Sequence, residues 1–326
     1  MINMWSKKLK DPFIFQGAIK ESQYFEGWYF KQVSKDEKRV ISIIPGISLV
    51  KGDSHSFVQY VLVCMDENNN KLMKTGYVRY PLRDFKVENE PFTLQVSDNY
   101  FSRSMISVRI LDGNTIITGT LHFGDFTPIQ RTVFMPNIMG IFAYLPKMEC
   151  YHGICSMTHS VNGVLKIQED EMDFNDGKGY IEKDWGTSFP QKYVWIQCNN
   201  FIKKSTSLFC SIAKIPISTK SFIGFIANLV LEGKEYRFAT YNHSKLKIES
   251  IHDGKIMIIL EHKKAKLIIE GKVNETGKLI APRNGKMQDI IKEELSGEVS
   301  IHLYDKQRDK TYEEYGLVAG IEIVGF

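Results

Sequence analysis

The chain alternates apolar and polar residues with a period of two over most of its length. Segments such as Ser56–Met65 (SFVQYVLVCM) and Thr115–Phe123 (TIITGTLHF) are rich in Ile, Val, Phe and Tyr, which is typical of β-strands. Asn-Gly and Asp-Gly pairs, as at Asn162-Gly163 and Asp253-Gly254, separate these segments and favour hairpin turns. Strands joined by tight turns form antiparallel sheets. The pattern therefore predicts an all-β fold, built as barrels or sandwiches.

Helical periodicity is rare in this sequence. Asn284–Leu295 (NGKMQDIIKEEL) spaces its apolar residues as an amphipathic helix does, and it is the best helical candidate. A short helix is also expected within Ser221–Leu231. The predicted fold thus contains few short helices.

A weak internal repeat predicts two domains. Glu26–Val33 and Lys192–Asn199 are both aromatic segments with a central Trp, and a charged turn follows each of them. The next apolar segments, Val40–Pro45 and Leu208–Pro216, both end in Ile-Pro. This spacing fits two barrels of similar size. We place the domains at residues 1–188 and 189–326.

Charge and cysteine content exclude several classes of protein. The 326 residues include 42 Lys+Arg and 38 Asp+Glu, so the net charge of +4 gives little drive for nucleic-acid binding. Five cysteines without CxxC spacing favour reduced thiols over a disulfide framework or a zinc site. No apolar run reaches the roughly 18–20 residues of a membrane span, and the N-terminus lacks the pattern of an export signal. We expect a cytoplasmic protein.

Carboxylates among aromatic residues are the first candidates for chemistry. Glu182 and Asp184 are two residues apart, so a strand places both on one face. If both enter a poorly solvated cavity, charge repulsion and desolvation raise at least one pKa, and the protonated carboxyl can then donate a proton. The alternative is a solvated strand end. Glu26 lies among four aromatic residues, either as a desolvated acid or paired with Lys31 at a barrel mouth.

Two histidines form the second group of candidates. His152 and His159 are seven residues apart in Cys150–Gly163, and no third residue completes a recognisable zinc spacing. We therefore predict no metal. A neutral histidine in a barrel wall is commonly a hydrogen-bonded structural residue, and the alternatives are substrate binding and proton transfer.

Four segments resemble the tocopherol cyclase family. They are FEGWYFK (Phe25–Lys31), MECYHGICSMTHS (Met148–Ser160), GYIEKDWGTSFPQKYVWIQCNNF (Gly179–Phe201) and GLVAGIEIVGF (Gly316–Phe326). More distantly, the region around Asp184 is similar to carotenoid 1,2-hydratases and related proteins with two lipocalin-like domains. The resemblance implies an all-β fold of two consecutive lipocalin-like antiparallel β-barrels with an apolar cavity.

The resemblance also implies a reaction and a set of roles. An acid protonates the alkene of a prenylated hydroquinone, and the phenol oxygen captures the resulting carbocation to close a chromanol ring, without any cofactor. Asp184 is then the expected acid, with Glu182 and Glu26 in reserve, and His159 or His152 accepts the phenolic proton. The expected substrate-binding residues are Trp28, Trp185, Tyr193, Trp195, Gln197, Asn199 and His152.

The substrate class and the outcome stay open at this stage. The expected partner is an apolar small molecule, namely a prenylquinol, another isoprenoid or a polyene, with peripheral contact to a membrane and no nucleic acid. A hydratase would share the protonating Asp184 and admit water to the cation. A non-catalytic lipocalin-like carrier would use the same cavity without needing the acid.

Overall fold

A computed structural model describes residues 4–20, 23–66, 70–217 and 220–326. Within these ranges the chain forms one short helix, α1 (Met4–Lys10), and strands arranged in two antiparallel sheets. Short 3-10 turns occur at Leu82–Asp84, Gly140–Tyr144 and Thr240–Asn242. The predicted all-β class is confirmed.

The first sheet has twelve strands, all from the first two thirds of the chain. They are β1 (Tyr24–Val33), β2 (Arg39–Leu49), β3 (His55–Met65), β4 (Lys71–Pro81), β5 (Phe85–Asn89), β6 (Phe92–Val96), β7 (Asn99–Ser102), β8 (Met105–Asp112), β9 (Thr115–Phe123), β10 (Cys150–Ile167), β11 (Asp170–Asp173) and β12 (Gly177–Gly186). Their order is β4-β3-β2-β1-β12-β10-β9-β8-β7-β6-β5, with β11 paired to β10. One face of the sheet packs into an apolar core that contains Trp28, Phe30 and Ile181. Strand β12 lies between β1 and β10.

The second sheet has ten strands. They are β13 (Tyr193–Cys198), β14 (Ser207–Ile217), β15 (Lys220–Leu231), β16 (Lys234–Ala239), β17 (Lys245–His252), β18 (Lys255–His262), β19 (Ala265–Lys272), β20 (Gly277–Arg283), β21 (Lys286–Asp305) and β22 (Lys310–Val324). Their order is β16-β15-β14-β13-β22-β21-β19-β18-β17, with β20 paired to β21. This sheet encloses its own core, which contains Val194, Ile196 and Cys198.

The chain packs as two compact units. The first contains the described residues of Met1–Phe189 together with Lys278–Ile290, and the second contains those of Pro190–Gly277 and Ile291–Phe326. The hairpin at 278–290 packs on the first unit through paired hydrogen bonds between the Gln59 side chain and the Ile280 backbone, at 2.6 and 3.3 Å. The division into domains 1–188 and 189–326 stays a prediction.

Both helix predictions are wrong. Asn284–Leu295 spans the turn of a β-hairpin and the first half of β21. Asn284 and Gly285 both have positive φ (51° and 81°), as a two-residue hairpin turn requires. Ser221–Leu231 lies within β15, because an apolar run rich in Ile and Phe is equally typical of a buried strand.

Two further features bear on the sequence predictions. All five cysteines are free thiols. None of the helices in the described residues has the length and apolar character needed to cross a lipid bilayer.

Candidate functional site

Strand β12 carries two polar clusters on its opposite faces. Glu182 and Asp184 point away from the apolar core, and Lys183 points toward it, because side chains alternate along a strand. His152 on β10 lies directly opposite Asp184 in the antiparallel register. The predicted pair of carboxylates on one face is therefore present, and β10 adds a histidine to it.

His152 lies between the two carboxylates. Its Nδ1 is 2.7 Å from Asp184 Oδ1, and its Nε2 is 3.4 Å from Glu182 Oε2, which is an ion-pair distance. The side chains of Glu182 and His152 are 5% and 12% exposed, whereas that of Asp184 is 23% exposed. Asp184 is thus the member of this carboxylate–histidine cluster that solvent or a ligand can reach most readily.

The electrostatics of the cluster hold a proton on His152. Burial alone disfavours the imidazolium, but the charges of Glu182 and Asp184 and the hydrogen bond to Asp184 outweigh it and raise the pKa of His152 to about 9. The buried Tyr180 hydroxyl donates to Glu182 Oε2 at 2.5 Å. Burial, followed by the charge of Glu182, raises the pKa of Tyr180 well above its usual value, so it stays a donor. At neutral pH the cluster holds one proton between two carboxylates.

The same three residues are also the one group within the described residues whose ligand atoms converge, within 4.8 Å of one another, closely enough to hold a metal ion. One imidazole and two carboxylates suit a divalent cation. However, both ring nitrogens already face carboxylates, so a metal would have to displace the bound proton and break one of these contacts. With a proton on His152, each ring nitrogen already faces a carboxylate oxygen, so the cluster needs no metal ion to balance its charges. The absence of a metal stays a prediction.

The core-facing side of the sheet carries a buried ion pair. Glu26 Oε1 lies 2.6 Å from Lys183 Nζ, and both side chains are fully buried. Glu26 also accepts hydrogen bonds from the backbone of Gln16 and Gly17 and from the Tyr24 hydroxyl. The carboxylate thus ties the segment before β1 to the sheet. The structure places this predicted reserve acid in a charge pair, away from the carboxylate–histidine cluster.

Two tryptophans shield the ammonium of this ion pair. Lys183 Nζ lies 4.9 Å from the Trp28 ring centroid and 4.8 Å from that of Trp185, and it donates to the Ile14 carbonyl at 2.6 Å. Aromatic faces stabilise a desolvated cation. The cation that these rings contact is therefore Lys183, on the face of the sheet opposite to Asp184.

His159 also lies on the core-facing side, so the two candidate histidines are separated by the sheet. It pairs with Gly179 on β12, and its ring lies 4.8 Å from both Phe123 and Phe126. Burial lowers the pKa of His159 to about 3. Its Nδ1 contacts Ser156 Oγ at 3.0 Å. His159 is thus a neutral and weakly basic group, and its predicted role as proton acceptor stays untested.

The predicted substrate-binding residues of β13 form a separate group in the second unit. Tyr193, Trp195 and Gln197 share one face of the strand, opposite to its core-facing residues. The Tyr193 hydroxyl donates to Glu322 Oε2 at 2.5 Å, and Gln197 Nε2 donates to Asn199 Oδ1 at 3.2 Å. All four predicted residues, including Asn199, are buried. Their role in binding stays a prediction.

Sequence reasoning missed several members of these clusters. Tyr180 shares the face of Glu182 and Asp184, so the period of two could have identified it. The pairing of Lys183 with Glu26 depends on which strands are neighbours, which the sequence does not reveal. Gln32 is fully buried beside Gly179 and His159, and its amide has no hydrogen-bond partner among the described residues. Nothing in its sequence context marks it.

Two antiparallel sheet units of this kind define a lipocalin-like all-β protein, here with a buried carboxylate–histidine cluster in its first unit. Residues 121–325, more than half of the chain and including the whole cluster, match the model of the tocopherol cyclase-like family. The chain belongs to this family, and the resemblance seen in the sequence is confirmed.

The similar plant proteins are distant. A probable chloroplastic tocopherol cyclase of Oryza sativa is 24% identical over 193 residues, which cover 57% of this chain and 40% of that protein. The chloroplastic tocopherol cyclase of Zea mays is 27% identical over 139 residues, which cover 35% of this chain and 28% of that protein. The matched regions span less than half the length of either relative.

Solved structures share the fold at very low identity. CghA with Sch210972 has a TM-score of 0.60 at 8% identity, covering 96% of this chain and 97% of that one. Kievitone hydratase from Nectria haematococca has a TM-score of 0.54 at 9% identity, with coverages of 92% and 88%. A putative AttH from Nitrosomonas europaea has a TM-score of 0.52 at 13% identity, with coverages of 95% and 98%.

Proposed function

We propose that this protein is an acid–base enzyme that protonates the alkene of an apolar prenylated phenol and closes an oxygen-containing ring. The observation that supports this most is the cluster of His152, Glu182 and Asp184, which lies within the family match. Family membership supports cyclisation as the reaction. The prenylated hydroquinone is the substrate that we propose.

Asp184 is the proposed proton donor because it is the most exposed member of the cluster. In the free enzyme the proton resides on His152. An apolar substrate that covers Asp184 removes water from the carboxylate and favours its uncharged form, so the proton moves from His152 Nδ1 to Asp184 Oδ1 across 2.7 Å. Glu182, which accepts a hydrogen bond from Tyr180, keeps the His152 ring in place. His152 thereby acts as a positioning residue and as the store of the proton that Asp184 delivers.

The proposed reaction balances without a cofactor. The acid delivers one proton to the less substituted alkene carbon, which leaves a tertiary carbocation. The phenol oxygen forms a bond to that carbon, and its proton returns to the cluster. Substrate and product therefore have the same mass. General acid catalysis of this kind contributes about 10²–10⁴-fold.

Hydration is the second candidate function. The partial exposure of Asp184 leaves a route by which water can reach the cation. Capture by water in place of the phenol would give an alcohol and add the mass of one water.

An assay with prenylated hydroquinones distinguishes these reactions. We expect the purified protein to consume the alkene without a change in mass, and Asp184→Asn to slow this by at least about 100-fold. Asp170→Asn, which changes an exposed carboxylate on β11, is the matched control and keeps the wild-type rate. A product heavier by one water supports the hydratase instead. Tight binding without turnover supports a carrier and contradicts the proposal.

A further inference from the structure

Helix α1 and the segment 131–147 of the first unit form one apolar surface. The rings of Trp5 and Tyr144 lie 6.2 Å apart, and Asn137 Nδ2 donates to the Leu9 carbonyl at 2.9 Å. The Tyr144 hydroxyl donates to the Val133 carbonyl at 2.5 Å, which closes the segment into a compact loop. We call this surface the apolar patch. Its exposed members are Trp5, Val133, Phe134, Ile141, Tyr144 and Leu145.

The exposure of these side chains is unusual for their type. Val133 and Phe134 are 79% and 76% exposed, and Trp5 is 60% exposed. The other three tryptophans of the chain are buried. Contiguous apolar surface of this kind commonly marks an interaction site.

The two segments that form the patch carry only basic charged residues. Neither Met4–Lys10 nor Arg131–Lys147 contains an acidic residue. Lys10, Arg131 and Lys147 are exposed at its edges, and the described part of the chain contains no ion pair to them. Lys7, by contrast, pairs with Glu90.

We infer that the apolar patch docks the protein on an anionic lipid bilayer. Exposed aliphatic and aromatic side chains enter the headgroup boundary, and Trp and Tyr prefer that interface. Basic residues at the edge add attraction to anionic lipids. An apolar protein partner would cover the patch without needing the exposed basic residues at its edges. This docking goes beyond the proposed reaction and does not depend on it.

Vesicle sedimentation tests the inference. We expect the protein to sediment with vesicles of phosphatidylcholine containing roughly a third phosphatidylglycerol, and less with pure phosphatidylcholine or at high salt. The double substitution Val133→Ser and Phe134→Ser should weaken binding by at least about tenfold, since both side chains leave water on docking. Ile202→Ser is the matched control, because Ile202 is also 79% exposed but belongs to the second unit.

Trp5 gives an independent spectroscopic signal. Its fluorescence should shift to shorter wavelength with anionic vesicles and be quenched by brominated lipid, and Trp5→Phe should remove this change. Three results would overturn the inference: no sedimentation of the wild type, equal sedimentation of the double variant, or a lipid-free dimer that the double variant abolishes. The last result would assign the patch to self-association. Turnover of a detergent-dispersed prenylated hydroquinone by the double variant is measured separately, so that a failure of the docking inference is distinguished from a failure of the proposed reaction.

Discussion

Neutralising Asp184 should change how the stability of the protein depends on pH. The pKa of His152 is about 9 in the folded protein, compared with about 6.5 in an unfolded chain. A difference of about 2.5 units corresponds to about 3 kcal/mol of folding free energy. Because the folded-state pKa is raised, this contribution is fully present below about pH 6.5 and is lost as the pH rises through 9.

The substitution Asp184→Asn removes one of the two charges that hold the proton. It also removes the carboxylate at 2.7 Å from Nδ1, so the pKa of His152 should fall toward its ordinary value. The stabilising contribution at pH 6.5 should then shrink by about 1–2 kcal/mol, roughly half of the total. At pH 9.5 wild type and variant should differ much less.

Urea unfolding at several pH values measures this difference directly. Comparing the variant with the wild type at each pH removes the effect of the buried cysteines and tyrosines, which ionise in the unfolded chain at high pH. NMR titration of the His152 ring gives the pKa itself, and Asp170→Asn is the control. A stability difference that is the same at pH 6.5 and pH 9.5 would refute the proton-holding role of the cluster.

Three further changes test the core-facing side of the first sheet. Lys183→Met leaves the buried Glu26 charge without its partner and should cost about 3–5 kcal/mol in urea unfolding, part of which a second substitution, Glu26→Gln, should restore. Burial lowers the pKa of His159 to about 3, so the unfolded chain takes up a proton at this histidine more readily and the protein loses folding free energy as the pH falls below about 6.5. The substitution His159→Gln should therefore make the protein more resistant to acid in a pH melt. Gly179→Ala should lower the melting temperature, because its Cβ would lie 2.2 Å from His159 Nε2, whereas Gly27→Ala should have little effect, since its nearest contact is at 3.6 Å. Equal melting temperatures for the two alanine variants would contradict the packing described around His159.

Much of the fold could be predicted because strand patterns are local. The period of two identified the strands and placed Glu182 and Asp184 on one face, as the structure confirms. The helix predicted at Asn284–Leu295 is wrong because its apolar spacing suits either a helix or a strand, and the Asn284-Gly285 turn decides for the strand. The preference of these two residues for positive φ therefore determines the structure of the segment more strongly than its apolar spacing does.

The candidate site was only partly predictable because it depends on strand register. The sequence indicated His152 and His159 as equivalent candidates seven residues apart. Because the spacing is odd, the period of two places the two side chains on opposite faces of β10, and the two irregularities in its pairing with β12 leave this unchanged. His152 thereby meets two carboxylates, whereas His159 meets aromatic rings. The pKa of His152 is therefore raised and that of His159 lowered. The identity of the two residues alone could not predict this difference, because it depends on which side chains the neighbouring strands place beside them.

The most direct test of the proposed reaction is to run it in deuterium oxide. A proton delivered from the exchangeable carboxylate–histidine cluster to the alkene should leave one deuterium on carbon in the ring-closed product, visible by mass spectrometry and retained after return to ordinary water. We expect this for the wild type, and at least about 100-fold slower formation with Asp184→Asn. Ring closure without deuterium on carbon, or labelled product formed at the wild-type rate by Asp184→Asn, would contradict the assignment of Asp184 as the acid.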